Sequence, residues 1–212
     1  MVPSVRRARL DDSAAIARLH RETISWGLLS QLGEGVVTAF YRAVIECPAS
    51  FCFIAEQGGV LQGFAAGVTA WPRLLRYVVG RTALPLLRTL PSLLASGRWR
   101  RLWQTTRYTQ SGLGGVDAEF LSFGVREQAR DRVWAGTALV RAVVHEFRQR
   151  GVRRFRGVVW SRNEQAQQFF EAVGFRFVSE VEIHPGEVSR AHIVDIVSPA
   201  KDRPLADDIA RH

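Results

Sequence analysis

The sequence predicts a mixed α/β fold, with a central mixed, mostly antiparallel sheet flanked by helices. Three observations carry that expectation. The patterns follow one another as strand, two helices, hairpin, insertion, strand, helix, strand, helix and strand pair, an order that suits one α/β or α+β domain. Asp117–Arg150 passes from an apolar run with strand character, through an arginine-dense turn, into an amphipathic helical pattern. A chain of 212 residues, 47% apolar and 23% charged, is long enough for one domain with a sizeable core.

The elements follow in order. Ser4–Leu10 alternates as a first strand, and Asp11, Asp12 and Ser13 are helix-capping residues ahead of AAIARLH. The pattern loosens from His20 to Gly33. A second helix is expected over Glu34–Glu46, where Val37, Phe40, Tyr41 and Val44 recur at helical spacing and Pro48 ends the run. Phe51–Glu56 and Val60–Val68 flank Gln57-Gly58-Gly59 as a hairpin. Asp117–Val125 supplies the next strand, Gly136–Arg150 a helix, and Arg154–Trp160 a further strand. Asn163–Val173 reads as a helix with Gly174 as its C-terminal cap, followed by strands over Phe175–Ile183 and Ala191–Val197. Residues 1–200 form the domain, 70–115 an insertion between the third and fourth strands, and 201–212 a loose tail.

Composition narrows the function. The formal charge of +9 invites nucleic-acid binding, but Lys201 is the lone lysine among the 29 basic residues, a bias that GC-rich coding also produces. Nucleic acid is therefore not the expected partner. Cys47 and Cys52 make neither a disulfide framework nor a metal-ligand cluster, and no metal is expected. No apolar run reaches a membrane-spanning length of about 18 residues, and MVPSVRRARLDD lacks the apolar core of a signal peptide, so a cytoplasmic protein is expected. A strand feeding a helix N-terminus, with Arg130 and Arg132 in the turn, is a place where backbone N–H groups and guanidinium groups can grip phosphate. A solvated turn is the bland alternative.

Two segments bring the chain close to a known family. Asn163-Glu-Gln-Ala166-Gln-Gln-Phe169-Phe170-Glu-Ala-Val-Gly174-Phe175 resembles the N-x-x-A-x-x-(aromatic or Leu)-Y-x-x-x-G-F segment of the GNAT superfamily of acyl-CoA-dependent N-acetyltransferases, and Ala118–Val125 is similar to that family's central strand. The resemblance implies transfer of an acetyl group from acetyl-CoA, as co-substrate, to the primary amine of a small molecule. It places cofactor contacts at Phe123, Val125, Arg130, Arg132, Ala135, Gly136, Thr137, Asn163 and Phe170, with a backbone amide near Val125 polarising the thioester carbonyl. Asn163 reads equally well as a helix cap. Glu119 lies six residues before Val125, similar to the glutamate base of the histone-acetyltransferase branch. On an alternating strand it shares a face with Leu121, Phe123 and Val125, where desolvation would raise its pKa toward a useful base. An edge position in water, or a pair with an arginine, is the competing reading.

The sequence departs from the family in two places. In the phosphate loop, Gly136 fits the last glycine, but Trp134 stands where an earlier one belongs, and counting from Val125 instead places Arg130 at the leading basic position. The family's acid is a tyrosine, and here Phe170 stands in its place and cannot donate a proton. Ser122, Ser161 or a water are the substitutes, unless the thiolate leaves unaided.

Residues Trp71–Thr109 mix arginine, leucine pairs and tryptophan without an acidic residue, and Pro85 and Pro91 break them into short helices. Three readings stand: a peripheral contact with anionic lipid at the inner membrane face, a lid over an acidic or phosphate-bearing substrate, and a helical cap packed on the domain or on a second subunit in a homodimer. The resemblance, whose family includes acetyltransferases of amino sugars, implies an amino-sugar nucleotide or lipid-linked sugar as a substrate that would suit a basic insertion. His20, Trp26 and Gln31 are expected to bind the substrate, with Arg21, His184 and Arg190 also placed near it by the family fold. The other class of function is a non-catalytic acyl-CoA-binding or basic membrane-binding or nucleic-acid-binding module on the same fold.

Overall fold

The computed structural model describes residues 4–24, 29–81, 116–129, 131–184 and 187–196. Trp26, Arg130, residues 82–115 of the insertion and the tail at 201–212 lie outside the described residues. The strands are β1 (Ser4–Arg7), β2 (Ser50–Gln57), β3 (Val60–Val68), β4 (Glu119–Val125), β5 (Arg154–Trp160), β6 (Arg176–His184) and β7 (Glu187–Asp195). The helices are α1 (Ser13–Thr23), α2 (Glu34–Glu46), α3 over 71–81, α4 (Arg132–Gln149) and α5 (Glu164–Ala172). One seven-stranded sheet runs β1-β2-β3-β4-β5-β7-β6. All neighbours are antiparallel except β4 and β5.

Each face of the sheet buries one apolar cluster. Ile16, Ala17 and Leu19 of α1 and Val37, Tyr41 and Val44 of α2 close over Ile54, Phe64, Ala66 and Val68. Leu139, Val140, Val143 and Phe147 of α4 and Phe170 of α5 close over Phe51, Ala65, Phe120 and Phe155. Both stripes recur at the three- and four-residue spacing that brings side chains onto one helical face. α3 docks by burying Leu74 in the first cluster, with Trp71 and Val78 packed against it. Cys47 and Cys52 are free, buried thiols.

Local chemistry sets the element ends. Cys47, which precedes Pro48, takes an extended conformation (φ −71°, ψ 124°) and stops α2, because proline disfavours the helical region in the residue before it. Asp12 was expected to cap α1; its carboxylate instead accepts the Arg9 backbone N–H and pairs with Arg6, which lowers its pKa. α5 ends in a Schellman arrangement: Gly174 (φ 92°) donates to the Glu171 carbonyl and Phe175 N–H to that of Phe170. That turn lays Phe175 on Phe170, ring centroids 4.4 Å apart.

Candidate active site

β4 and β5 form ladder pairs at Glu119–Arg156 and Phe120–Gly157 and then part. On its other edge β4 carries a bulge: Phe120 pairs with Gly67 and Ser122 with Ala66, so Leu121 is the extra residue. Gly67 is needed there, since a Cβ would lie 2.4 Å from the Phe51 ring and 2.8 Å from that of Phe147. The bulge corrects the expected alternation. Leu121 packs on the α1/α2 side, and Glu119 and Ser122 bond there to Trp71 and Tyr41. Phe120, Phe123 and Val125 face the α4/α5 side. Glu119 therefore does not share a face with Phe123 and Val125.

On the α4/α5 side the surroundings are aromatic. Phe123 stacks on Phe169 (centroids 5.3 Å, planes 4° apart), and Gly136 lies so close that a Cβ would sit 3.1 Å from Phe169 and 3.4 Å from Phe123. Phe170 is 4% exposed and packs on Phe120 and Phe175. Val125 and Ala135 are buried as well. α4 starts at Arg132, four residues before the expected Gly136, because the Ala135 N–H already bonds the Asp131 carbonyl. Trp134 thus stands outward from the first helical turn, 43% exposed, and is not crowded into a glycine's place. Arg132 is exposed beside it. Thr137 Oγ1 is buried with no hydrogen-bond partner among the described residues. At α5, Asn163 Oδ1 accepts the Ala166 N–H at 3.1 Å, a helix cap. The Ser161 backbone binds Val188 and Gln167.

The α1/α2 side is polar. Glu119 is 7% exposed, and its Oε2 accepts from Arg156 Nε (2.9 Å), Arg156 Nη2 (2.8 Å) and Trp71 Nε1 (2.9 Å). Oε1 takes none of the three. Arg156 is 1% exposed, so this is a buried ion pair, the arginine partner that competed with the base reading. Further along β4, Ser122 Oγ lies 3.0 Å from the Tyr41 hydroxyl, which lies 2.7 Å from His20 Nδ1. Burial pushes the His20 pKa down to about 4 and raises that of Tyr41 well above the usual phenol value. Gln31 is exposed in the short turn Leu29–Leu32. Among the expected site residues, the fold joins His20 with Ser122 through Tyr41, and Phe123 with Gly136 and Phe170.

Arg156, Trp71 and Tyr41 escaped the sequence reading as site residues. Tyr41 was absorbed into an apolar helix stripe. Arg156 did leave a signal, because an arginine flanked by Phe155 and Gly157 in a central strand demands a buried anion.

Comparison with known proteins settles the family. The sequence profile described as the acetyltransferase (GNAT) family matches residues 21–175. The chain belongs to that family. Acetyl transfer is its class of reaction, and the mixed sheet is its fold. Among solved structures, an N-acetyltransferase from Staphylococcus aureus Mu50 superposes with a TM-score of 0.61 at 14% identity, over 93% of this chain and 100% of that one. The yncA protein of Salmonella typhimurium, solved with its cofactor acetyl-CoA, gives 0.60 at 14% identity over 95% and 98%. The ribosomal-protein-S18-alanine N-acetyltransferase of Escherichia coli gives 0.59 at 13% identity over 96% and 99%. None of the curated protein sequences matches. Among the described residues of this GNAT chain, no group of three or more His, Cys, Asp or Glu is placed to hold a metal, and no helix is long and apolar enough to cross a membrane.

Proposed function

We propose that the chain transfers an acetyl group from acetyl-CoA to the primary amine of a small molecule by direct attack. The observation that supports this reading is the parting of β4 from β5 near the start of α4, in whose second turn Thr137 keeps a buried hydroxyl with no partner among the described residues. Buried polar groups are satisfied as a rule, so an orphan beside a helix N-terminus fits a ligand that supplies the partner. The acetyl-CoA bound in the Salmonella relative supports that ligand. In this reading the α4 amides, Arg130 and Arg132 hold the pyrophosphate, the arm passes Phe123, Gly136 and Asn163, and a backbone amide near Val125 polarises the thioester carbonyl.

Glu119 receives the amine's proton through Oε1, directly or through a water. The three donors on Oε2 favour a second reading, in which Glu119 is a fixed structural anion and the amine gives its proton to solvent. An amino sugar on a nucleotide or lipid suits the basic segment 71–109, whose arginines would meet its phosphates. The reading places the enzyme in the cytoplasm.

Calorimetric titration of the full chain with acetyl-CoA tests the proposal. Thr137→Val removes the orphan hydroxyl at nearly constant shape. The ligand-free variant is expected to melt no lower than the parent, while its affinity for acetyl-CoA falls about tenfold, the worth of one hydrogen bond to a charged ligand. No binding by the parent refutes the reading, and unchanged affinity in the variant removes Thr137 from the site.

A further inference from the structure

Acetyl transfer without the family's tyrosine leaves one question of chemistry: what meets the negative charge that develops on the departing sulfur. His20, Tyr41 and Ser122 make a hydrogen-bonded chain from α1 through α2 to the bulge of β4. Its hydrogens have a direction. His20 is 4% exposed, and its Nε2 is buried with no partner among the described residues. A buried lone pair without a partner costs less than a buried N–H without one, so the ring proton belongs on Nδ1. Nδ1–H then donates to the Tyr41 oxygen, and the Tyr41 hydroxyl donates to Ser122 Oγ. The serine's own hydrogen is left pointing out of the chain.

Ser122 is half-buried at the residue after the bulge, two residues beyond the last β4–β5 pair, whereas Tyr41 behind it is fully enclosed. Tyr41 is further fixed by edge-on contacts with His20, Phe40 and Phe64. The titratable groups that meet Tyr41 are His20 and, from β2, Cys52, and both are neutral at physiological pH because burial lowers the one pKa and raises the other. No charge interrupts the direction of the chain.

We propose that Tyr41, backed by His20, is a positioning residue that presents the Ser122 hydroxyl as a hydrogen-bond donor to the sulfur of the leaving thiolate. The inference rests on the acetyl-transfer reading above. As the amine nitrogen bonds to the thioester carbon and the C–S bond breaks, the electron pair goes to sulfur. Ser122 Oγ–H stabilises that anion without giving up its proton, the amine's proton leaves to Glu119 or water, and the thiolate is protonated by solvent on release. Phe170, sealed in the aromatic core, takes no part.

The product CoA reports on this without any knowledge of the acceptor. Calorimetry first establishes CoA binding to the full chain. The ultraviolet thiolate band of bound CoA is then followed against pH. In the parent the bound thiol should ionise at lower pH than free CoA. Ser122→Ala and Tyr41→Phe should each cut the thiolate fraction about tenfold, about one pKa unit, and the double variant should do no more than either alone. A role confined to packing would not produce that shared, non-additive shift. Equal thiol pKa values in the parent and both variants overturn the proposal. Absence of CoA binding by the parent overturns the acetyl-transfer reading beneath it, a failure seen before any thiol is titrated. Ser122→Ala leaves the buried rings untouched, so the test survives even if Tyr41→Phe folds poorly.

Discussion

On one side of β4, Phe120 and Phe123 meet Phe169, Phe170 and Phe175; on the other, the same short stretch buries an ion pair and a hydrogen-bonded hydroxyl chain. The aromatic side draws its stability from area removed from water, which is tolerant of direction. The polar side has no such tolerance. Each of its groups is paid for in desolvation, and losing one partner strands the other. Hydrophobic packing holds the strands where they part, and the polar side supplies the groups with chemistry to offer. The bulge at Leu121 makes the division possible, because it sets Glu119 and Ser122 on one side while Phe123 and Val125 stay on the other.

The sharpest way to break this comparison is to remove the buried carboxylate. Glu119→Gln takes the three hydrogen bonds of Oε2 away from a charge-paired acceptor beside Arg156, 1% exposed, and unfolding in denaturant should show a loss of about 3–5 kcal/mol. Pairing it with Arg156→Met should recover most of that loss. Turnover in the folded double variant then separates the two roles for Glu119: it stays lost if Oε1 is the base and returns if the carboxylate is only an anchor. A single variant as stable as the parent would show that the pair is not buried as described.

Much of this architecture was legible in the sequence, and the exceptions have a common cause. α2 and β5 fall on their expected bounds because an apolar helical stripe ended by proline, and a strand set between two helices, are local signals. Phe170 and Phe175 were readable because the G-F turn and the helix before it are consecutive. The bulge was not, since Leu121 becomes an extra residue only because its neighbours Phe120 and Ser122 pair with Gly67 and Ala66, more than fifty positions away. The same holds for Tyr41. Helical spacing says that it is buried, but only the packing of α1 and β4 against α2 gives its hydroxyl two partners.

A smaller effect probes the hydroxyl chain through pH. His20 is held at about 4 in the fold against an ordinary 6.5, so between those values the unfolded chain binds a proton that the folded chain does not. The stability this group contributes is complete above about pH 6.5 and is lost as the pH falls toward about 4, a change of about 3 kcal/mol. His20→Gln should flatten the melting temperature in that window relative to the parent. If both proteins lose stability in parallel, His20 is not the buried neutral imidazole that directs the chain.

The smallest of the expected effects belongs to the aromatic side and bears on how its ring stack is held. Asn163 fixes the first turn of α5 through one side-chain bond to the Ala166 N–H, and Phe169 stacks on Phe123 from the last turn of the same helix. Asn163→Ala should therefore cost about 1 kcal/mol, the usual worth of a helix cap, with Asn163→Asp restoring it. If Asn163 serves only as a cap, both variants should bind acetyl-CoA in proportion to their stability. A tenfold weaker affinity in the folded Ala variant would mean that the side-chain amide itself meets the ligand, because that variant removes the NH2 donors without adding a charge beside an anionic ligand. The distinction matters for the comparison of the two sides: it decides whether the aromatic side contributes a polar contact of its own or only the shape against which the polar side works.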